Sequence, residues 1–166
     1  EHDENSWRVQ TLLMRFLENA WKEPDDGIWE IRGPRRHFTH SKVMAWVGVD
    51  RAIRTVTDHG LEGNVDVWRD LADRIHAQVC DRGYDAGRGT FTQFYGSRGL
   101  DASLLLIPRV GFLPWEDERV IGTVEAVARE LDRDGLLLRY DTRADDGADG
   151  RPGDEGAFLV CSFWLV

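Results

Sequence analysis

The chain has little cysteine, no net positive charge and no long apolar run. Only two cysteines, Cys80 and Cys161, occur in 166 residues. Two thiols cannot build a disulfide framework, and their separation matches no metal-ligand pattern, so they read as buried thiols. The 21 Lys and Arg are outnumbered by 30 Asp and Glu, for a net charge of -9. The basic residues are scattered among acids, which excludes nucleic acid as a partner, because phosphate binding needs clustered cations. No apolar stretch reaches the roughly 20 residues of a membrane span. No signal-peptide pattern is visible either, and a cytoplasmic location without membrane association is the expectation. Lysine is confined to Lys22 and Lys42, every other basic side chain being arginine. What remains is ordinary for a globular protein: 42% hydrophobic and 31% charged residues, enough for one domain with its own core. The chain closes on Cys161-Ser162-Phe163-Trp164-Leu165-Val166, an apolar ending expected of a segment of a longer protein.

Helical periodicity dominates. Val9, Leu12, Leu13, Phe16, Leu17 and Ala20 fall on one face of a first helix. Trp46, Val49, Ile53 and Val56 mark a second, and Trp68, Leu71, Ala72, Ile75 and Val79 a third. Val120, Val124, Val127, Ala128 and Leu131 mark another, with Glu116, Asp117 and Glu118 in a first turn where the helix dipole favours acids. Ser103 to Ile107 is expected to be helical until Pro108, and Ala157 onward to be a helix cut short. Long Gly-rich polar loops separate these segments: Pro24–Thr39, Gly83–Gly99 and Asp132–Gly156. Short strands are expected at Thr90–Tyr95 and Leu136–Tyr140. The fold class predicted is all-α, built from helical hairpins with a site at the loop end, since loops of this length in a compact domain are functional or disordered.

Two loops carry acids of chemical interest. In Asp25-Asp26-Gly27-Ile28-Trp29-Glu30-Ile31-Arg32-Gly33, Glu30 follows an aromatic ring. An apolar neighbour disfavours the charged carboxylate and favours a carboxylic acid able to protonate a leaving oxygen. Spacing alone favours the plainer alternative, a turn with Trp29 in the core and Glu30 in solvent. In Gly153-Asp154-Glu155-Gly156-Ala157-Phe158, Glu155 stands where a Gly-rich loop gives way to an apolar helix. It could cap that helix or present a carboxylate to a pocket. Two facing carboxyls could polarise a water and protonate a glycosidic oxygen.

Aromatic residues crowd the same loops, and aromatic walls suit the C–H faces of sugars. Of these, Trp29 and Tyr140 are the candidates for a site, while Phe38, Phe91, Phe94 and Tyr95 read mostly as core. Three other patterns lead nowhere. His37 and His40 are spaced i,i+3 but lack completing ligands. The acidic run Asp145-Asp146-Gly147-Ala148-Asp149-Gly150 fails the calcium-loop pattern, with Gly147 and Gly156 where ligands are needed. Gly83, Gly87 and Gly89 follow a helix rather than a strand, so a phosphate cradle is not indicated. No metal or organic cofactor is implied.

Three segments together resemble a known family. They are Gly27-Ile28-Trp29-Glu30-Ile31-Arg32, His37-Phe38-Thr39-His40-Ser41-Lys42-Val43-Met44-Ala45-Trp46, and Glu155-Gly156-Ala157-Phe158-Leu159-Val160-Cys161-Ser162-Phe163-Trp164-Leu165. They are similar, in order and separation, to the bacterial branch of glycoside hydrolase family 15, which includes glucoamylases, glucodextranases and a group of trehalases. The resemblance implies part of an (α/α)6 toroid, with residues 1–166 as the C-terminal half of that catalytic domain. It implies Glu30 as general acid, Glu155 as general base, Arg139 as the arginine holding hydroxyls of the non-reducing glucose, and Trp29 lining the same subsite. Ile31 stands where fungal glucoamylases carry a second acid, a departure from fungal-type starch specificity. The activity expected is inverting release of terminal glucose from α-linked oligosaccharides or disaccharides. The alternatives are α,α-trehalose hydrolysis, or a helical fragment that binds carbohydrate or serves structure without catalysis. Isolated, the 166 residues are expected to be inactive. Their apolar faces, at Phe158, Phe163 and Trp164 above all, are expected to be covered by the missing half or by self-association.

Overall fold

A computed structural model describes residues 4–141 and 156–166. Its helices are α1 (Glu4–Ala20), α2 (Thr39–His59), α3 (Val65–Arg82), α4 (Leu106–Arg109), α5 (Glu118–Glu130) and α6 (Leu159–Leu165). A single 3-10 turn, Ala102–Leu105, leads into α4. Two small antiparallel hairpins complete the described structure. β1 (Tyr84–Asp85) pairs with β2 (Thr90–Phe91), and β3 (Asp132–Arg133) pairs with β4 (Leu136–Leu137). The all-α expectation holds, and the predicted strands exist only as two-residue cores of those hairpins.

The α2–α3 hairpin is the centre of the packing. α2 stops where Gly60 adopts φ 64 and its N–H returns to the Val56 carbonyl, the left-handed cap that glycine accommodates without a Cβ penalty. All five apolar positions read on α3 are buried, from Trp68 to Val79. They meet Val43, Ala45, Val49 and Ala52 of α2, with Leu104, Ile107 and Phe112 closing one side. A second cluster joins Leu100, Ala102 and Leu105 to Ala126, Val127 and Leu131, Leu137 and Leu138, and Cys161 of α6.

The hairpin β1–β2 seats directly on α5. Phe91 N–H donates to the Thr123 hydroxyl at 2.9 Å, and Arg88 pairs with Glu130 at 2.6 Å. The Gly89 carbonyl comes so close to Gly122 that a Cβ there would lie 2.2 Å from it. A side chain at this helix position is therefore excluded by backbone, whatever helix propensity would favour.

Several boundaries differ from expectation. The helix read as ending at Pro108 continues through it to Arg109, because a proline within the first turn needs no N–H donor. Asp117 is the cap of α5 rather than a first-turn residue, its carboxylate accepting from Arg119 N–H at 2.9 Å, and Glu116 precedes it. Phe158 is likewise the extended residue before α6 and not part of it.

The larger correction concerns α1. Four of the six residues on its predicted apolar face are exposed: Val9 56%, Leu12 61%, Leu13 60% and Phe16 70%. The seam that packs inward is carried by Trp7, Met14 and Leu17, with Trp21 just beyond the helix. Periodicity identifies a stripe, but the identity of its partner is a tertiary fact. The Phe158, Leu159 and Phe163 side chains are also exposed.

One charge organises the junction of α1 and α2. Lys42 is only 2% exposed, yet its ammonium is well partnered. It donates to the Trp21 carbonyl at 2.7 Å and the Glu23 carbonyl at 2.5 Å, and lies 3.8 Å from the Asp25 carboxylate. Helix ends leave carbonyls without intrahelical donors, and this lysine supplies one from the neighbouring helix. Lys42→Met should fill the space but leave those acceptors unmet. A destabilisation of about 2 kcal/mol is expected in urea denaturation, the ordinary consequence of orphaning buried acceptors.

Candidate active site

The loop after α1 is a closed excursion. Asp25 and Arg36 exchange both backbone hydrogen bonds at 2.9 Å, which clamps the loop at its neck. The Asp25 carboxylate also accepts from Gly27 N–H at 2.8 Å and from the Ser41 hydroxyl at 2.6 Å. Between these points the chain makes a tight turn, with Ile31 N–H donating to Asp26 and Glu30 N–H to Gly27. Gly27 has φ 71, and a Cβ there would strike the Phe38 ring at 3.0 Å. Glu30 has φ 48, one of only two described non-glycine residues with positive φ. The left-handed region is costly for a residue with a Cβ, and such outliers concentrate at functional sites. The Glu30 side chain is exposed.

Trp29 turns the other way. Its half-buried ring packs edge-on against Phe158 at 5.7 Å between centroids, and lies tilted by 30° against Trp164 at 6.0 Å. The Arg139 guanidinium lies 5.2 Å from the centre of the Trp29 ring, 5.5 Å from Tyr140 and 5.9 Å from Phe158. Three of the residues read from the sequence, Trp29, Arg139 and Tyr140, thus converge, with Glu30 adjoining Trp29 in the chain. Tyr140 is buried at 3% exposure, in a cluster with Ile31, Phe38 and Phe94. Ile31 is therefore core, and an acid there would be desolvated. Glu155 and the acidic run Asp145–Gly150 lie outside the described residues. The segment that follows Glu155 does reach the site: Phe158 N–H donates to the Leu137 carbonyl at 2.9 Å, and its ring meets Trp29.

The three long loops are fastened to one another by short backbone contacts. Phe38 bridges Phe94, and Asp101 bridges Tyr140. Tyr95 N–H donates to the His37 carbonyl at 3.1 Å. His37 stacks on Tyr95 with centroids 5.8 Å apart. Burial, reinforced by the Lys42 and Arg82 cations, holds His37 below the usual histidine range. Burial does the same to His40, with Asp101 and Asp25 opposing. Neutral imidazoles here suit packing. Both cysteines are free; Cys161 is fully buried and Cys80 partly so. Burial pushes the Cys161 thiol up to about 12, so it is a packing group rather than a nucleophile.

Two residues that position the site were missed by the sequence reading. Asp101 is 2% exposed, and its carboxylate accepts from the Trp29 indole N–H at 2.9 and 3.1 Å, from the Gln93 amide at 3.1 Å and from Ser103 N–H at 2.8 Å. The signal was the Asp-x-Ser preceding an apolar helical run, a capping pattern. Lys42 was also legible, because it occupies the apolar phase of α2, where a charge has to be explained.

The chain is 50% identical over 166 residues to a trehalase of Mycobacterium tuberculosis, covering 98% of this chain and 24% of that protein. It is 51% identical over 160 residues to a trehalase of Mycolicibacterium smegmatis and 40% identical over 161 residues to one of Thermoplasma volcanium, covering 96% of this chain in each case and 24% and 25% of those proteins. The chain spans about a quarter of the length of these relatives. Its fold matches a glycosidase solved in complex with glucose, with a TM-score of 0.74 at 23% identity over 90% of this chain and 38% of that one. The sequence profile described as Glycosyl hydrolases family 15 matches residues 1–166. With helices, loops and whole-length match in agreement, this chain belongs to glycosyl hydrolase family 15.

Proposed function

We propose that this chain is the C-terminal half of an α/α-toroid catalytic domain that hydrolyses α,α-trehalose with inversion. Glu30 is the general acid and Glu155 the general base. Trp29, Arg139 and Tyr140 form the wall of the subsite for the attacked glucose, Tyr140 from behind. The reading is carried by the Trp29 junction, where the loop of Glu30, the arginine and the segment following Glu155 meet around one ring. Trehalose is favoured over the terminal glucose of an α-glucan because several relatives of this chain, at 40% identity and above, are trehalases.

The chemistry follows from the roles. Glu30 delivers its proton to the oxygen joining the two anomeric carbons as that C–O bond breaks. Glu155 takes a proton from a water that adds to the anomeric carbon from the opposite face. One glucose leaves with its α configuration intact, and the attacked one is released as β. An inverting pair stands roughly 6.5–9.5 Å apart to admit the water. No cofactor takes part. The described helices include none long and apolar enough to cross a membrane.

Four outcomes test the reading. The polypeptide carrying this chain should release glucose from trehalose, with proton NMR showing α and β anomers in equal amounts before mutarotation. Maltose and isomaltose should be poor substrates. Preferential maltose cleavage, or two α-glucoses from trehalose, would overturn it. Glu30→Gln should lower kcat by at least about 10²-fold, the lower range of a lost general acid. Glu30→Gly should be equally inactive yet more stable by up to about 1 kcal/mol, because glycine relieves the left-handed backbone; thermal denaturation measures the difference. The 166 residues by themselves should turn over trehalose at least about 10²-fold more slowly than the longer polypeptide, since positioning is lost with small displacements.

A further inference from the structure

Asp101 is the most elaborately satisfied buried charge near the site, and capping does not explain it. A cap needs one carboxylate oxygen to accept from one backbone N–H. Ser103 N–H provides that contact on Oδ1. The rest of the group is engaged elsewhere: the Trp29 indole N–H spans both oxygens, and the Gln93 amide donates to Oδ2. The backbone at Asp101 also pairs with Tyr140, and Ala102 N–H donates to the Arg139 carbonyl at 2.8 Å. A single residue therefore contacts all three long loops: Trp29 from the first, Gln93 from the second, Arg139 and Tyr140 from the third.

These contacts bear on Glu30 through geometry. The Trp29 ring is held at its N–H by Asp101 and at its faces and edges by Phe158, Trp164 and Arg139. The next residue, Glu30, has its backbone fixed at φ 48 with its N–H bonded to Gly27. With ring and backbone both fixed, the point from which the exposed Glu30 side chain departs is set by where Trp29 sits. We propose that Asp101 is a positioning residue: by clamping the Trp29 indole and registering the Arg139–Tyr140 segment on the same residue, it aims the Glu30 carboxyl at the glycosidic oxygen of a sugar held by Arg139. The proposal rests on the reading of Glu30 as general acid.

The test separates aim from mere folding. Trehalose needs its leaving oxygen protonated, whereas α-D-glucosyl fluoride expels fluoride with little help from an acid. Asp101→Asn keeps volume and one acceptor but turns the other oxygen into a donor facing donors. In the polypeptide carrying this chain it should lower kcat for trehalose by about 10²-fold, the effect of a misplacement near 1 Å. KM for trehalose and turnover of glucosyl fluoride should change by less than about fivefold, as when only a transition-state interaction is removed. Gln93→Met, which deletes a donor to the same carboxylate and leaves the sugar wall intact, should show the same selective loss, and the double variant should be no slower than the slower single one. Parallel loss on both substrates, or effects of the two substitutions that multiply, would show that Asp101 only supports the fold. Should Asp101→Asn yield no folded protein, Gln93→Met decides by the same ratio. Glu30→Gln is the independent control: if it slows both substrates equally, the acid assignment itself is wrong, whatever Asp101→Asn does.

Discussion

An ammonium buried to 2% exposure would be intolerable without oxygen around it, and that requirement shapes the loop that carries Glu30. Lys42 draws in the last carbonyls beyond α1 and the Asp25 carboxylate. Burial pulls its pKa below the usual lysine range, and Asp25 offsets part of that pull. Once Asp25 is placed, its backbone can close the neck with Arg36, and its side chain can hold Gly27 and Ser41. The turn that carries Trp29 and Glu30 is hung from this point.

The division of labour is between helices that pack and loops that are pinned by buried polar groups. The α2–α3 pair contributes apolar area, the dominant favourable term in folding. The loops have few regular hydrogen bonds of their own, and Lys42 and Asp101 stand in for a sheet. Both are satisfied by several partners, so each fixes more than one segment at once. A half-satisfied network of this kind would cost more than it contributed.

Much of this was legible in the residues. The apolar phase of α3 lies buried where it was read, whereas on α2 Val49 is buried and Trp46, Ile53 and Val56 are only partly buried against the same core. The stripe on α1 was read equally well as a pattern, but Leu13 and Phe16 face outward. A hydrophobic period reports a preference for burial, and the partner is not written in it. At the site, Trp29 and Arg139 do meet, although they are far apart in sequence. Tyr140 was chosen as an aromatic wall and proves to be nearly inaccessible. Aromatic identity does not distinguish a wall from the core behind it. Asp101 was overlooked because an aspartate before a helix already has an adequate local explanation, and its second oxygen is committed to residues far along the chain.

The joints between the long loops have a further consequence. Phe38 with Phe94 and Asp101 with Tyr140 are single-point rivets, and Asp25 with Arg36 closes the neck of one loop; none is a continuous ladder. A ladder propagates any insertion along its whole register, whereas a rivet transmits nothing beyond itself. A change in length on one side of a rivet is therefore borne locally at small entropic cost, whereas residues 26–35, inside the Asp25–Arg36 neck, carry Trp29 and Glu30 themselves. In this architecture a loop can lengthen beyond its joint without re-registering its neighbour, so the reach of a loop and the alignment between loops are separable properties.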